Sequence, residues 1–137
     1  MNERRIKQVI VIRKDLKMRR GKEIAQGSHA SMAFISRRLQ NIKRPWWKIF
    51  GRKKAIDVTS VEQKWFDTSF AKVTVRVNSL EELEQIYESS KEAGLEVHLV
   101  TDSGLTEFAG QPTKTCLAIG PNYADLIDPV TGELKIY

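Results

Sequence analysis

A single cysteine, Cys116, leaves this chain without an intrachain disulfide and without the thiolates of a metal cluster. A reducing cytoplasmic compartment is the corresponding expectation. Long apolar runs are missing as well: the longest hold four or five residues, far below the roughly 20 that a membrane helix needs. The opening MNERRIKQVIVIRKDL is basic, but its apolar stretch is too short for a signal-peptide core and reads as a strand. No internal repeat, no low-complexity tract and no Cys, His and carboxylate grouping at metal-ligand spacing is visible, so neither metal nor cofactor is expected.

What the first half lacks is negative charge. Residues 1 to 54 hold 17 Lys and Arg against 3 acids, a balance of +14, whereas residues 55 to 137 carry −8. Clustered cations gain affinity for polyanions by releasing counterions from phosphates, so the split points to a nucleic-acid face. The plainer alternative is solvated charge divided unequally by chance. Hydrophobic residues at 41% and charged residues at 29% describe an ordinary globular domain, and 137 residues make one domain with a core of its own.

Periodicity divides the chain into alternating elements. Residues 6 to 13 read as a buried strand and 22 to 39 as a helix rich in small residues that lets it sit close to a sheet. Residues 40 to 58, broken by Pro45 and Gly51, look like an insertion. Ser60 with Gln63 fits a capping box for a short helix, followed by a strand over 71 to 77. Ser79 with Glu82 suggests a second capping box, for a helix ending at Gly94, and a strand over 95 to 100 completes a parallel strand, helix, strand unit. A strand over 115 to 119 closed by Gly120-Pro121, a short helix near 123 to 127, a turn at 128 to 132 and a terminal edge strand finish it. The expectation is an α/β fold, a three-layer α/β/α single domain around a small mixed sheet.

Two distant segments converge in that arrangement. RKDLKMRRGKEIAQGSHA, from Arg13, and TDSGLTEF, from Thr101, each begin where a buried strand gives way to polar residues, and ligands bind at the carboxyl ends of such strands. Lys22, Gln26 and His29 stand at i, i+4 and i+7 and so share one helix face, with Lys22 at the amino end. Taken singly, Lys22 reads as an exposed lysine, His29 as a hydrogen-bonded core histidine, Asp102 as a turn-capping aspartate, and Thr106 and Thr115 as strand-end threonines. Together, a lysine, an aspartate and two hydroxyls can hold a water, orient it and stabilise an oxyanion, which metal-free ester hydrolysis requires.

The ordered motifs VIVIRKDLKMRRGKEIAQGSHA, LVTDSGLTEF, TKTCLAIGP and LIDPVTGELKIY resemble the type 2 peptidyl-tRNA hydrolases, shared by archaea and eukaryotes and found in some bacteria. Lys17, Met18, Gly21, Lys22, Ala25, Gln26, His29 and Ala30 match that family's basic-loop motif, with Arg19 and Arg20 in place of its first Gly-Lys. Its D-A-G-x-T is Asp102 to Thr106 here. The resemblance implies hydrolysis of the ester joining a peptide to the terminal ribose of tRNA. Its catalytic lysine, aspartate and two threonines fall on Lys22, Asp102, Thr106 and Thr115, with Thr113 a rival for the second hydroxyl and Gln26 and His29 in support. Related proteins are often dimers, so a homodimer is a further expectation.

The insertion lies outside the resemblance. RRLQNIKRPWWKIFGRKK, residues 37 to 54, has eight cations and no acid, interleaved with Trp46, Trp47 and Phe50. That mixture suits stacking on single-stranded RNA, an anionic membrane surface, or a loop folded over its own core. Arg13, Lys17, Arg19 and Arg20 of the basic loop, with Lys43, Arg44, Lys48, Arg52, Lys53 and Lys54 of the insertion, are the expected tRNA contacts. A non-catalytic RNA binder and a Trp-using adaptor compete with the esterase, but a binder needs cations and has no need of Asp102.

Overall fold

The computed structural model describes residues 3–42 and 55–137. A mixed four-stranded sheet in the order β2-β1-β4-β3 forms the middle layer, built from β1 (Ile6–Arg13), β2 (Lys72–Val77), β3 (Val97–Asp102) and β4 (Thr113–Tyr123). Helices α1 (Arg20–Gln40), α2 (Ser60–Asp67), α3 (Leu80–Glu92) and α4 (Ala124–Thr131) flank it. β1 sits in the interior of the sheet, and its near-continuous apolar run reflects burial on both faces.

Strand alternation sorts the core. Val9 and Val11 of β1, with Leu117 and Ile119 of β4, pack with Leu83 of α3 and Ile127 of α4. Ile10 and Ile12, with Cys116 and Ala118, face Ala30 of α1 and Met18. Phe34 of α1 and Trp65 of α2 close the core around Ile6. Among the polar groups, fully buried Gln8 donates to the Ser31 carbonyl at 2.9 Å and accepts from the Ser31 hydroxyl at 2.5 Å. That exchange pins α1 to the central strand without leaving a buried amide unpaired.

Strand polarity positions the site. β1 and β3 both run antiparallel to β4, so their carboxyl ends and the amino end of β4 meet at one end of the sheet. At that end Val100 pairs with Cys116 while Thr101 pairs with Lys114, leaving Thr115 as the extra residue of a β-bulge. Strict alternation would place Thr115 on the face of Leu117. The bulge turns it instead toward α1.

Several local expectations are corrected. The capping box of α2 is Thr59 with Glu62, whose side chains and backbone N–H groups exchange bonds at 3.1 and 2.8 Å. Gln63 turns to Asp67, one helical turn on. Ser79 accepts from the Glu82 N–H, but the Glu82 carboxylate reaches the N–H of Asn78, so that box is half formed. Leu95 closes the end of α3 by donating to Ser90, which delays β3 to Val97. β2 and β3 point the same way but lie on opposite edges, with β1 and β4 between them. β4 continues past Gly120-Pro121 to Tyr123, and the turn expected at 128 to 132 is mostly helix. The terminal strand reduces to one bridge between Val75 and Ile136. Lys43, Arg44, Lys48, Arg52, Lys53, Lys54, Trp46, Trp47 and Phe50 lie outside the described residues.

Candidate active site

Asp102 ends β3 and uses both carboxylate oxygens. Oδ2 accepts from the N–H of Gly104 at 2.8 Å, the self-capping turn common for aspartate after a strand. Oδ1 accepts from Lys22 Nζ at 2.7 Å and from Gln26 Nε2 at 3.3 Å. Gly104 has φ +83 and any side chain there would collide with the Gln111 backbone, so the turn requires glycine. Oδ2 thus caps the turn, while Oδ1 takes the two donors that come from α1.

Lys22 projects from the first turn of α1. Its ammonium also donates to Thr106 Oγ1 at 2.9 Å, in the loop after Asp102. The pair is largely withdrawn from water, the side chains of Lys22 and Asp102 being 14% and 10% exposed. The Lys22 hydrogen bond, helped by the Gly104 amide, the Lys22 charge and Gln26, holds the Asp102 carboxyl below the usual carboxylate range despite its desolvation. Asp102 is accordingly an anion throughout the physiological range.

Gln26, one turn along α1, is buried at 3% exposure. Its Oε1 accepts from the Thr115 hydroxyl at 2.5 Å. An ionised carboxylate only accepts hydrogen bonds, so the nitrogen of the Gln26 amide must face Asp102 and the oxygen must face Thr115. Thr115 itself is 0% exposed. It reaches the site through Gln26 and is shielded from anything bound at the surface. Thr113, the rival hydroxyl, donates to the Gln111 carbonyl at 2.9 Å and stays within its own loop. His29 is exposed, and its imidazole meets no hydrogen-bond partner among the described residues. Neighbouring Cys116 is buried and its thiol is pushed up to about 11, chiefly by desolvation, which leaves it a packing residue.

The basic loop lies beside this network. Lys14, Lys17, Arg19 and Arg20 are exposed at the carboxyl end of β1. Arg19 caps α1 with no side-chain hydrogen bond, so the first turn keeps free N–H groups among these cations. Arg13 is placed differently: its side chain is 12% exposed, and its guanidinium grips Asp15 at 3.1 and 2.6 Å and donates to the Lys114 carbonyl. It braces β1 against β4. An open groove of about 920 Å³ runs along the other flank of α1 past Ile10, Ile12, Ile24 and Gly27. Lys22, Gln26 and Asp102 do not line it, and convergent polar groups outweigh volume in identifying the chemistry.

Neither the bulge that aims Thr115 nor the burial of that hydroxyl is evident in the local sequence. The parity conflict between Thr115 and Leu117 was the available signal. Among the described residues no group of three or more His, Cys, Asp or Glu is gathered at metal-binding distance, and no helix is long and apolar enough to cross a membrane.

Known proteins resemble the chain along most of its length. The family model for Peptidyl-tRNA hydrolase PTH2 matches residues 6–137. The chain is 41% identical over 131 residues to a peptidyl-tRNA hydrolase of Methanothermobacter thermautotrophicus, covering 96% of this chain and 99% of that one. It is 38% identical over 132 residues to a peptidyl-tRNA hydrolase of Aeropyrum pernix, covering 96% and 95%. A solved protein of unknown function from Agrobacterium tumefaciens shares the fold, with a TM-score of 0.56 at 14% identity over 96% of this chain and 97% of that one. Agreement that runs from β1 through the basic loop, the Asp102 turn and β4 to the last residue is the reach of common descent, and the chain belongs to the PTH2 family of peptidyl-tRNA hydrolases.

Proposed function

We infer that this chain hydrolyses the ester of peptidyl-tRNA, releasing a peptide and a tRNA with a free terminal ribose. The observation that carries the reading is the largely buried Lys22–Asp102 pair, each member of which keeps unused capacity at the mouth of the basic loop. Lys22 has three N–H donors and spends two. Asp102 has four acceptor positions and spends three. One donor and one acceptor remain to be shared with a substrate and a water.

Chemistry follows from those spare positions. Water donates to the open position on Asp102 Oδ2 and attacks the ester carbonyl, while the third Lys22 N–H offsets the charge developing on the carbonyl oxygen. Asp102 is too weakly basic to keep the water's proton, which passes on to the departing ribose oxygen. The carbon–oxygen bond to the ribose breaks, and the peptide leaves as a carboxylic acid that gives its remaining proton to solvent. Thr106 holds the far side of Lys22, and Thr115, acting through Gln26, holds Asp102 in register. Lys17, Arg19 and Arg20 receive the phosphates of the acceptor end. All these groups come from one chain, so the site does not require a homodimer. A cytoplasmic setting, where translation proceeds, is the compartment this reading implies.

The test is release of N-acetylphenylalanine from N-acetylphenylalanyl-tRNA in the presence of a chelator. Turnover by the unmodified chain, abolished in Lys22→Ala, is expected. Tight binding of the tRNA without release would instead indicate an RNA binder on this fold.

A further inference from the structure

The loop that carries Thr106 also displays a side chain that neither the fold nor the chemistry uses. Leu105 is 87% exposed, more than any other large apolar residue among the described residues. One exposed leucine is ordinary on a protein surface. This one is held out by a closed loop. Gly110 donates to the Gly104 carbonyl at 3.0 Å, Gln111 donates to Phe108 at 2.9 Å, and the Gly104 turn packs directly on the Gln111 backbone. Phe108 and Ala109 both take positive φ, 66° and 50°, a conformation that costs free energy in residues other than glycine and persists where surrounding structure enforces it. The Phe108 ring packs on the core below, with its centroid 6.0 Å from Lys22 Nζ. Leu105 thus stands exposed next to Thr106, the residue that binds the Lys22 ammonium, on a loop anchored by the Phe108 ring.

Charge sets the direction in which a substrate crosses this end of the sheet. On the β1 side stand Lys14, Lys17, Arg19 and Arg20, all exposed. On the β3 side the loop from Ser103 to Pro112 has no cation and one acid, Glu107. Phosphates are drawn to the first side and repelled from the second. Lys22 and Asp102 lie between the two. With the ester at that pair and the nucleotides on the β1 side, the acyl part of the substrate extends over the β3-side loop.

We propose that Leu105, on the loop that binds Lys22 through Thr106, is the subsite for the side chain of the amino acid esterified to tRNA, and that it favours bulky apolar residues there. The proposal rests on the hydrolase reading and adds a specificity determinant to it. No covalent role is assigned to Leu105; its contribution is contact with the acyl side chain.

The experiment compares kcat/KM for N-acetylphenylalanyl-tRNA and N-acetylglycyl-tRNA, using the unmodified chain, Leu105→Ser and Leu105→Asp, with thermal melts to confirm folding. The unmodified chain should prefer the phenylalanyl substrate, and Leu105→Ser should reduce that preference by about tenfold, mainly through KM, in the range set by partial loss of an apolar contact. Leu105→Asp should reduce it further. An unchanged ratio in both variants would overturn the proposal. So would an equal weakening of competition by deacylated tRNA, because that would place Leu105 against the terminal nucleotide. Failure of the unmodified chain to hydrolyse either substrate would remove the hydrolase reading itself, a result distinct from an unchanged ratio.

Discussion

Replacing Thr115 by valine separates a hydroxyl that holds another residue from one that touches substrate. Valine has nearly the same shape, so the substitution removes the donor without opening a cavity. Thr115 is 0% and Gln26 3% exposed, and the Thr115 hydroxyl is the only partner of Gln26 Oε1 among the described residues. The amide oxygen would be left buried and unpaired, at a cost of about 1–3 kcal/mol. For 137 residues at ~2.1 cal/mol/K each, the unfolding entropy is about 0.29 kcal/mol/K, so the Tm should fall by about 3–10 °C. Turnover should fall only about tenfold, because Asp102 keeps Lys22 and the Gly104 N–H after Gln26 loosens. Thr115→Ser should restore both properties. Differential scanning calorimetry with single-turnover hydrolysis provides the assay. A valine variant with an unchanged Tm, or one as inactive as Asp102→Asn, would refute the positioning role.

Other consequences concern charge. The Asp102 carboxyl lies below its unfolded value of about 3.9, so its stabilising contribution is complete above that pH and is lost as pH falls through the lower folded value. The pH profile of kcat/KM should therefore show no acid limb from Asp102 above about pH 4.5, and a limb near neutrality that disappears in Asp102→Asn would contradict this. Glu62 is desolvated, but hydrogen bonds from Arg38 and from Thr59 lower its pKa, so its contribution too is present at neutral pH and lost on acidification. Glu62→Gln should cost about 2–3 kcal/mol in chemical denaturation at pH 7, less than a fully buried pair because Arg38 is 26% exposed, and the difference should shrink toward pH 3. Replacing Lys17, Arg19 and Arg20 together by alanine should flatten the dependence of log tRNA affinity on log salt by about 2, and an unaltered slope would remove the basic loop from the phosphate contacts.

The sequence carried the layer order because β1 and β4 hold unbroken apolar runs, as strands covered on both faces do, and Gly94 ends α3 where the helical period stops. It also carried Lys22 and Gln26 as neighbours, since four residues make one helical turn. The pairing of Lys22 with Asp102, 80 residues away, followed from both segments leaving strands at the same end of a sheet. Thr115 was harder. Its face depends on a bulge that no local residue announces, and only the mismatch between strand parity and a polar partner on α1 betrays it. The capping box of α2 was displaced by one residue for a related reason. Thr59 and Ser60 are both competent caps, and the extended backbone at Thr59, with Arg38 waiting for Glu62, decides between them. His29 sat at a helical spacing that matched the site face, yet i+7 lies two turns from Lys22, back along the sheet and away from the end where the loops converge. Arg13 belonged to the right loop by sequence, and Asp15, two residues on, captured its guanidinium.

The most direct test of the central claim is the single-turnover rate of release of N-acetylphenylalanine from saturating N-acetylphenylalanyl-tRNA by Asp102→Asn against the unmodified chain. Asparagine keeps the size of the side chain but cannot present the anion that Lys22, Gln26 and the Gly104 N–H surround. The rate should fall by about 10² or more, with tRNA affinity within about twofold of the unmodified chain. A folded Asp102→Asn protein that releases the acyl group at a near-normal rate would contradict the account.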